Sequence, residues 1–144
     1  MRAAATRRCV LDASVTLAWC FPDESTAYTE AVLDSLAGGA EAVAPAIWPF
    51  EVANALLVAE RRKRITVAQV TSVLQRIANL PITVDPVQTD HVFRQILLLA
   101  RQEQLTEYDA AYLELALRAG LPLATLDDRL RRAARNTGIP LVGI

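Results

Sequence analysis

Histidine and cysteine are nearly absent from this sequence, and their scarcity excludes several kinds of metal and redox site. The chain has one histidine, His91, and two cysteines, Cys9 and Cys20, among 144 residues. One histidine cannot build a histidine-based zinc site, and two cysteines at this spacing match no disulfide framework, metal motif or redox motif. We interpret both cysteines as packed thiols, so any chemistry must rely on other groups.

Long apolar runs and an excess of positive charge are also missing. No apolar run reaches the roughly 20 residues that a membrane helix needs, and Asp12 interrupts the run that follows the basic residues 1–8. We therefore expect a cytoplasmic protein with no membrane segment. The 15 Lys and Arg residues against 16 Asp and Glu residues leave a net charge of −1. This balance disfavours a passive nucleic-acid binder more than a nuclease whose metal ions supply positive charge locally.

Short apolar strands alternate with helices along the whole chain. Strands are predicted at 8–12, 42–44, 82–84, 121–125 and 139–142. Helices are predicted at 14–19, 23–36, 46–62, 66–79, 87–104, 106–119 and 128–136, with N-caps at Asp23, Thr66 and Thr106. Short, uniformly apolar strands separated by helices favour a parallel sheet that is covered on both faces. We predict one α/β domain over residues 1–144, with three layers in the order α/β/α and a short central parallel sheet.

Four acidic residues lie where the predicted strands end or the predicted helices begin. Asp12 ends the first strand, and Asp127 directly follows the fourth. Glu51 and Asp109 lie in the first turns of two helices. In a parallel sheet these positions share the edge at the carboxyl ends of the strands, where ligands bind. The surrounding segments are apolar, and charges that border core segments are uncommon unless they are paired or hold a metal.

A metal ion would explain why acids gather at one edge. Carboxylates close together repel one another, and a hard divalent cation removes that repulsion. Without a histidine or cysteine cluster, an all-oxygen site favours Mg²⁺, with Mn²⁺ as a substitute, over zinc. Such ions activate water and stabilise the charge that develops on a phosphodiester. The alternative explanation is structural: acids in first helical turns suit the helix dipole, and Asp109 would then complete a capping box that begins at Thr106.

Four segments around these acids resemble the PIN-domain family, and within it the VapC-type toxins of bacterial toxin–antitoxin pairs. The segments are VLDASV at 10–15, PAIWPFEVANAL at 45–56, LTEYDAAYLELA at 105–116 and LATLDDRL at 123–130. They occur in the order that the family has, with comparable spacing. By this resemblance the four acids, Asp12, Glu51, Asp109 and Asp127, are the catalytic and metal-binding residues.

The resemblance also points to supporting residues. Ser14 and Thr125 fall where the family has supporting hydroxyls, and Asn54 falls where it commonly has an asparagine. The T-x-D pattern of the family selects Asp127 as the fourth acid. Its neighbour Asp128 is then interpreted as a helix cap, with the alternative that it binds a metal through water.

An endoribonuclease is the function that this resemblance implies. It would be Mg²⁺-dependent and would cleave RNA with metal-activated water, leaving a 5′-phosphate and a 3′-hydroxyl. A VapB-type antitoxin and a homodimer are the implied protein partners. Two alternatives stay open: a PIN-type nuclease of RNA processing without an antitoxin, and a receiver-like signalling domain, which also binds Mg²⁺ beside a strand-end aspartate. The acids on two widely separated helices argue against the receiver.

Two arginine-rich clusters are candidates for RNA contact. Residues 61–64 end the helix that carries Glu51, where cations also complement the helix dipole, and they lie about 15 Å from it. The second cluster follows Asp127, and within it we select Arg129 and Arg132 as candidate phosphate contacts. Because only 6% of the chain is aromatic, the aromatic residues near the acids are interpreted as core or interface anchors: Trp19, Phe21, Trp48 and Phe50.

Overall fold

A sheet of four parallel strands forms the centre of the computed structural model, which describes residues 7–143. The strands are β1 (Arg8–Leu11), β2 (Glu41–Pro45), β3 (Ile82–Asp85) and β4 (Leu123–Ala124), in the spatial order β3-β2-β1-β4. A lone parallel bridge joins Leu123 to Leu141, and it replaces the fifth strand predicted at 139–142. The predicted fold class, an α/β protein with a short central parallel sheet, is confirmed.

Helices flank this sheet. They are α1 (Ala13–Cys20), α2 (Ala27–Ala37), α3 (Trp48–Arg61), α4 (Val67–Ala78), α5 (Thr89–His91), α6 (Leu97–Glu103), α7 (Glu107–Ala119) and α8 (Asp128–Thr137). A 3₁₀ turn, Pro22–Glu24, follows α1, and a π-helical segment, Val92–Ile96, joins α5 to α6. Within residues 7–143, no helix combines the length and the apolar composition that crossing a bilayer requires.

Threonine side chains begin three of these helices. Each accepts a hydrogen bond from a backbone N–H in the first helical turn: Thr26 in α2, Thr66 in α4 and Thr106 in α7. The predicted N-cap at Asp23 is wrong, because Pro22–Glu24 close their own 3₁₀ turn first. Thr26 and Thr29 then form a reciprocal capping box, which satisfies two free backbone donors at the start of α2.

Burial along β1 shows that the sheet is covered on both faces. Val10 and Leu11 point to opposite faces of the strand, yet both are fully buried. They pack in one core with Leu113 of α7 and with Leu123 of β4. By contrast, the edge strand β3 has no fully buried residue. The carboxyl end of β1, where Asp12 follows, therefore lies in the middle of the protein.

Candidate active site

Asp12 lies at the carboxyl end of β1 and is almost completely buried, at 5% exposed. Its Oδ2 accepts hydrogen bonds from the hydroxyls of Ser14 (2.6 Å) and Thr125 (2.7 Å). Burial raises the pKa of the Asp12 carboxyl and the charge of Asp127 adds to this, whereas the two hydroxyls oppose it. The two hydroxyls fix one carboxylate oxygen in a single orientation.

The same two hydroxyls connect Asp12 to the loop that follows β4. Ser14 Oγ accepts the backbone N–H of Leu126, and Thr125 Oγ1 accepts the backbone N–H of Asp127, both at 3.0 Å. Each hydroxyl therefore donates to Asp12 and accepts from the loop. The structure thus places both predicted supporting residues against Asp12, and their contribution to catalysis stays a prediction.

Asp127 begins the last helix, α8. Its backbone is extended, and its Oδ1 accepts the backbone N–H of Leu130 at 2.9 Å. The interpretation of Asp128 as the cap is therefore wrong, because Asp128 already lies inside the first turn of α8 and is exposed. Asp127, the acid of the T-x-D pattern, therefore caps the helix with one oxygen, and its charge also acts on Asp12.

Glu51 is half-buried in the first turn of α3, and a tyrosine holds it. The hydroxyl of Tyr112, a fully buried residue of α7, donates a hydrogen bond to Glu51 Oε1 at 2.7 Å. Burial raises the pKa of Glu51, the Tyr112 hydrogen bond opposes that rise, and the charges of Asp12 and Asp109 add to it. Burial and the contact with Glu51 also raise the pKa of Tyr112. Sequence reasoning missed Tyr112, whose signal is its position three residues after Asp109.

Asp109 is half-buried in the first turn of α7. Its backbone N–H donates to Thr106 Oγ1 at 3.1 Å. Within the described residues its carboxylate makes no bond back to the N–H of Thr106, so the reciprocal half of the proposed capping box is absent. Burial raises the pKa of Asp109, and the charges of Asp127 and Asp12 raise it further, against the opposing effects of Thr106 and Arg129. A purely capping role for the Asp109 side chain is therefore unsupported.

Charge repulsion from neighbouring acids acts on Asp12, Glu51 and Asp109. Besides burial, the charge of Asp127 raises the pKa of Asp12, and the charges of Asp12 and Asp109 raise the pKa of Glu51. The charges of Asp127 and Asp12 likewise add to the raised pKa of Asp109. In the described part of the chain, no three His, Cys, Asp or Glu side chains already form a group that could hold a metal ion. The donor set still fits Mg²⁺ or Mn²⁺, because it consists of carboxylate oxygens and because a dication would relieve their repulsion.

The remaining predicted residues lie on α3 and α8. Arg129, on the first turn of α8, is exposed and acts on Asp109 through its charge. Arg132 is exposed as well, whereas Asn54 is exposed on α3 and makes no side-chain hydrogen bond among residues 7–143. Arg131, which belongs to the same arginine-rich cluster, is half-buried, and its Nε donates to the backbone oxygen of Thr125 at 2.8 Å.

The predicted aromatic anchors divide into two groups. Trp48 and Phe21 are buried in the core, as predicted, and the indole N–H of Trp48 donates to the hydroxyl of Thr16. Trp19 is partly buried and packs against the same core. Phe50, by contrast, is 74% exposed on α3. It therefore does not belong to the core, and an interface remains the prediction for it.

A family model and a known ribonuclease match the sequence of this chain. The family model described as "PIN domain" matches residues 9–136. Ribonuclease VapC3 of Mycobacterium tuberculosis is 39% identical over 92 residues, which cover 62% of this chain and only 63% of that relative.

Two solved structures are similar to the whole fold. PAE2754 from Pyrobaculum aerophilum superposes with a TM-score of 0.67 at 23% identity, covering 90% of this chain and 87% of that one. FitAcB from Neisseria gonorrhoeae superposes with a TM-score of 0.59 at 17% identity, covering 94% and 96%. At such low identity, these two similarities show the fold alone.

Proposed function

Because this chain belongs to the PIN-domain family, we propose that it is a divalent-cation-dependent endoribonuclease and the VapC-type toxin of a toxin–antitoxin pair. The observation that supports the proposal is that Asp12 follows β1, Glu51 and Asp109 lie in the first turns of α3 and α7, and Asp127 begins α8, while the charges of neighbouring acids act on Asp12, Glu51 and Asp109. The similarity to Ribonuclease VapC3 supports RNA as the substrate.

The acids would hold the cation. Asp12, Glu51 and Asp109 would bind Mg²⁺, which Mn²⁺ can replace, and Asp127 would complete the site. The bound cation would activate water and stabilise the charge that develops on the phosphodiester, giving a 5′-phosphate and a 3′-hydroxyl. The protein needs no nucleophile of its own when an activated water attacks phosphorus, and no histidine or lysine lies near Ser14 in the sequence to act as its base.

The other residues would position the acids and the RNA. Ser14 and Thr125 keep Asp12 in one orientation, and its burial keeps bulk water away from that carboxylate. Arg129 and Arg132 are exposed on α8 next to Asp127, where their guanidinium groups would contact phosphates of the RNA backbone. With a net charge of −1, the protein would gain little non-specific affinity for RNA elsewhere.

Protein partners form the last part of the proposal. We propose a VapB-type antitoxin and a homodimer. Large exposed apolar side chains, which a partner would cover, support this: Phe50, Phe93 and Leu98. A free nuclease of this kind would harm its host, and an antitoxin would prevent this by inhibiting it.

Growth of a host strain tests the toxin proposal. Induced expression of this chain should arrest growth, and co-expression of the small protein encoded beside its gene should restore it. The Asp12→Asn variant is the matched control and should not arrest growth, because it keeps the fold and lacks the buried carboxylate. Harmless expression of a chain shown to cleave RNA would favour the RNA-processing alternative. Arrest by the Asp12→Asn variant would separate toxicity from this site.

Asp127 and Asp128 provide a second test, since they are adjacent acids with different contacts. Asp127→Asn keeps a side-chain oxygen to cap α8, and asparagine caps about as well as aspartate, so stability should be unchanged. Cleavage should nevertheless fall at least about tenfold, as expected for loss of an acid beside a metal site. The matched variant Asp128→Asn should cleave like the wild type. The reverse order of effects would show that the T-x-D assignment is wrong.

A further inference from the structure

Tyr112 brings a hydroxyl into the interior of the candidate site. It lies three residues after Asp109 on α7, so both side chains project from the same face of the helix. Tyr112 is fully buried, and its hydroxyl donates to Glu51 Oε1 at 2.7 Å. A buried tyrosine hydroxyl requires a partner. Here that partner is one of the four acids, and the contact joins α7 to α3.

The contact fixes one oxygen of Glu51 and not the other. Among the described residues, no donor bonds Glu51 Oε2. A tyrosine hydroxyl, whose ordinary pKa is about 10, is neutral at physiological pH. Tyr112 therefore holds the carboxylate without neutralising it, whereas a lysine or arginine in its place would compete with a cation for the same charge.

We propose that Tyr112 is a positioning residue, whose hydroxyl holds Glu51 Oε1 and leaves Oε2 free to bind a cation together with Asp12 and Asp109. This inference rests on the proposed cation-dependent function. A glutamate side chain has several rotatable bonds, and fixing it beforehand removes part of the ordering cost of binding. Residues that orient metal ligands typically contribute a factor of about 10–100 to metal affinity.

Mn²⁺ binding to the whole purified protein tests this role without relying on activity. Titration calorimetry with Mn²⁺ should show that Tyr112→Phe binds at least about tenfold more weakly than the wild type. Tyr108→Phe is the matched control: it removes a hydroxyl one position before Asp109, from a side chain that is 59% exposed, and should bind like the wild type. In cleavage assays, Tyr112→Phe should need more Mg²⁺ for half-maximal rate but approach the wild-type rate at saturation.

A double substitution separates positioning from general damage. In a Glu51→Gln background, adding Tyr112→Phe should weaken Mn²⁺ binding no further, because the carboxylate that the hydroxyl orients is already lost. If Tyr112→Phe does not fold, Tyr112→4-aminophenylalanine keeps a neutral donor of similar size and should bind Mn²⁺ like the wild type; a folded form that binds weakly would overturn the proposal.

The outcomes distinguish this inference from the function on which it rests. Wild-type affinity in Tyr112→Phe, with the wild type binding Mn²⁺ and cleaving RNA, would overturn the positioning role alone. An equal loss from Tyr112→Phe in the presence and absence of the Glu51 carboxylate would also overturn it. A wild-type protein that binds no Mn²⁺ would overturn both.

Discussion

Asp12→Asn should lower the rate of RNA cleavage by about a thousandfold or more, while the protein stays folded. The substitution removes the charge of the most buried acid but keeps its shape, so the hydroxyls of Ser14 and Thr125 can still donate to the amide oxygen. The neutral amide is a much weaker ligand for a divalent cation. Single-turnover cleavage of a defined RNA measures the loss, and Asp109→Asn should behave in the same way.

Stability in EDTA checks that the loss is one of chemistry and not of folding. Burial raises the pKa of Asp12 above its unfolded value. Its contribution to the free energy of unfolding is therefore fully present below the unfolded pKa and is lost as the pH rises through the folded one. At neutral pH, without metal, Asp12→Asn should be as stable as the wild type or more so. As the pH rises above the ordinary aspartate pKa of about 3.9, the wild type should lose stability more steeply than the variant.

An exposed acid gives the matched control for this experiment. Asp128→Asn removes the same charge from the surface near the site and should leave both cleavage and the EDTA stability profile unchanged. An Asp12→Asn protein that cleaves at the wild-type rate would remove Asp12 from the active site. One that unfolds at neutral pH would give Asp12 a structural role instead.

Removal of divalent cations should abolish cleavage, to at least about a thousandfold below the rate in Mg²⁺. Burial raises the pKa of Asp12, Glu51 and Asp109, and the charges of neighbouring acids add to each rise. A hard divalent cation would relieve this repulsion, and oxygen ligands of this kind suit it. Protein purified free of any inhibitor should cut RNA in Mg²⁺ or Mn²⁺ and stop in EDTA. Full activity in EDTA would contradict the proposed chemistry.

Thermal unfolding gives an independent measurement of the same site. A cation that binds only the folded state raises its stability in proportion to the logarithm of its concentration over Kd. Mg²⁺ should therefore raise the Tm of the wild type in the absence of RNA. The rise should be much smaller in Asp12→Asn, whereas a rise of equal size would place the cation elsewhere.

Local sequence patterns predict the elements that carry the acids. The run Cys9–Leu11 is short, apolar and followed at once by a carboxylate. A strand that is buried on both faces of a parallel sheet needs such a continuous apolar run, so the pattern predicts β1. The threonine N-caps of α4 and α7 were predicted in the same way, because capping depends on residues within one turn. Once the strands are parallel, their carboxyl ends must share an edge.

Contacts between distant elements were not predictable in this way. Tyr112 has the periodicity of a core residue, and whether its hydroxyl meets Glu51 depends on how α7 lies against α3. Where two capping residues compete locally, the choice also depends on the surrounding chain. The 3₁₀ turn after α1 moved the start of α2 beyond Asp23, and the extended backbone after β4 made Asp127 the cap instead of Asp128.

The bond between Asp12 and Thr125 has a consequence during synthesis. The two residues are 113 positions apart in the sequence. Translation adds about 5–20 residues per second, and a domain generally folds as a unit. A nascent chain that has not yet reached Thr125 has the first acid and the Ser14 hydroxyl, but it lacks the Thr125 hydroxyl and the fourth acid. The set of four acids is therefore complete only after Asp127 has been translated, so a chain that stops before this residue should lack part of the proposed site.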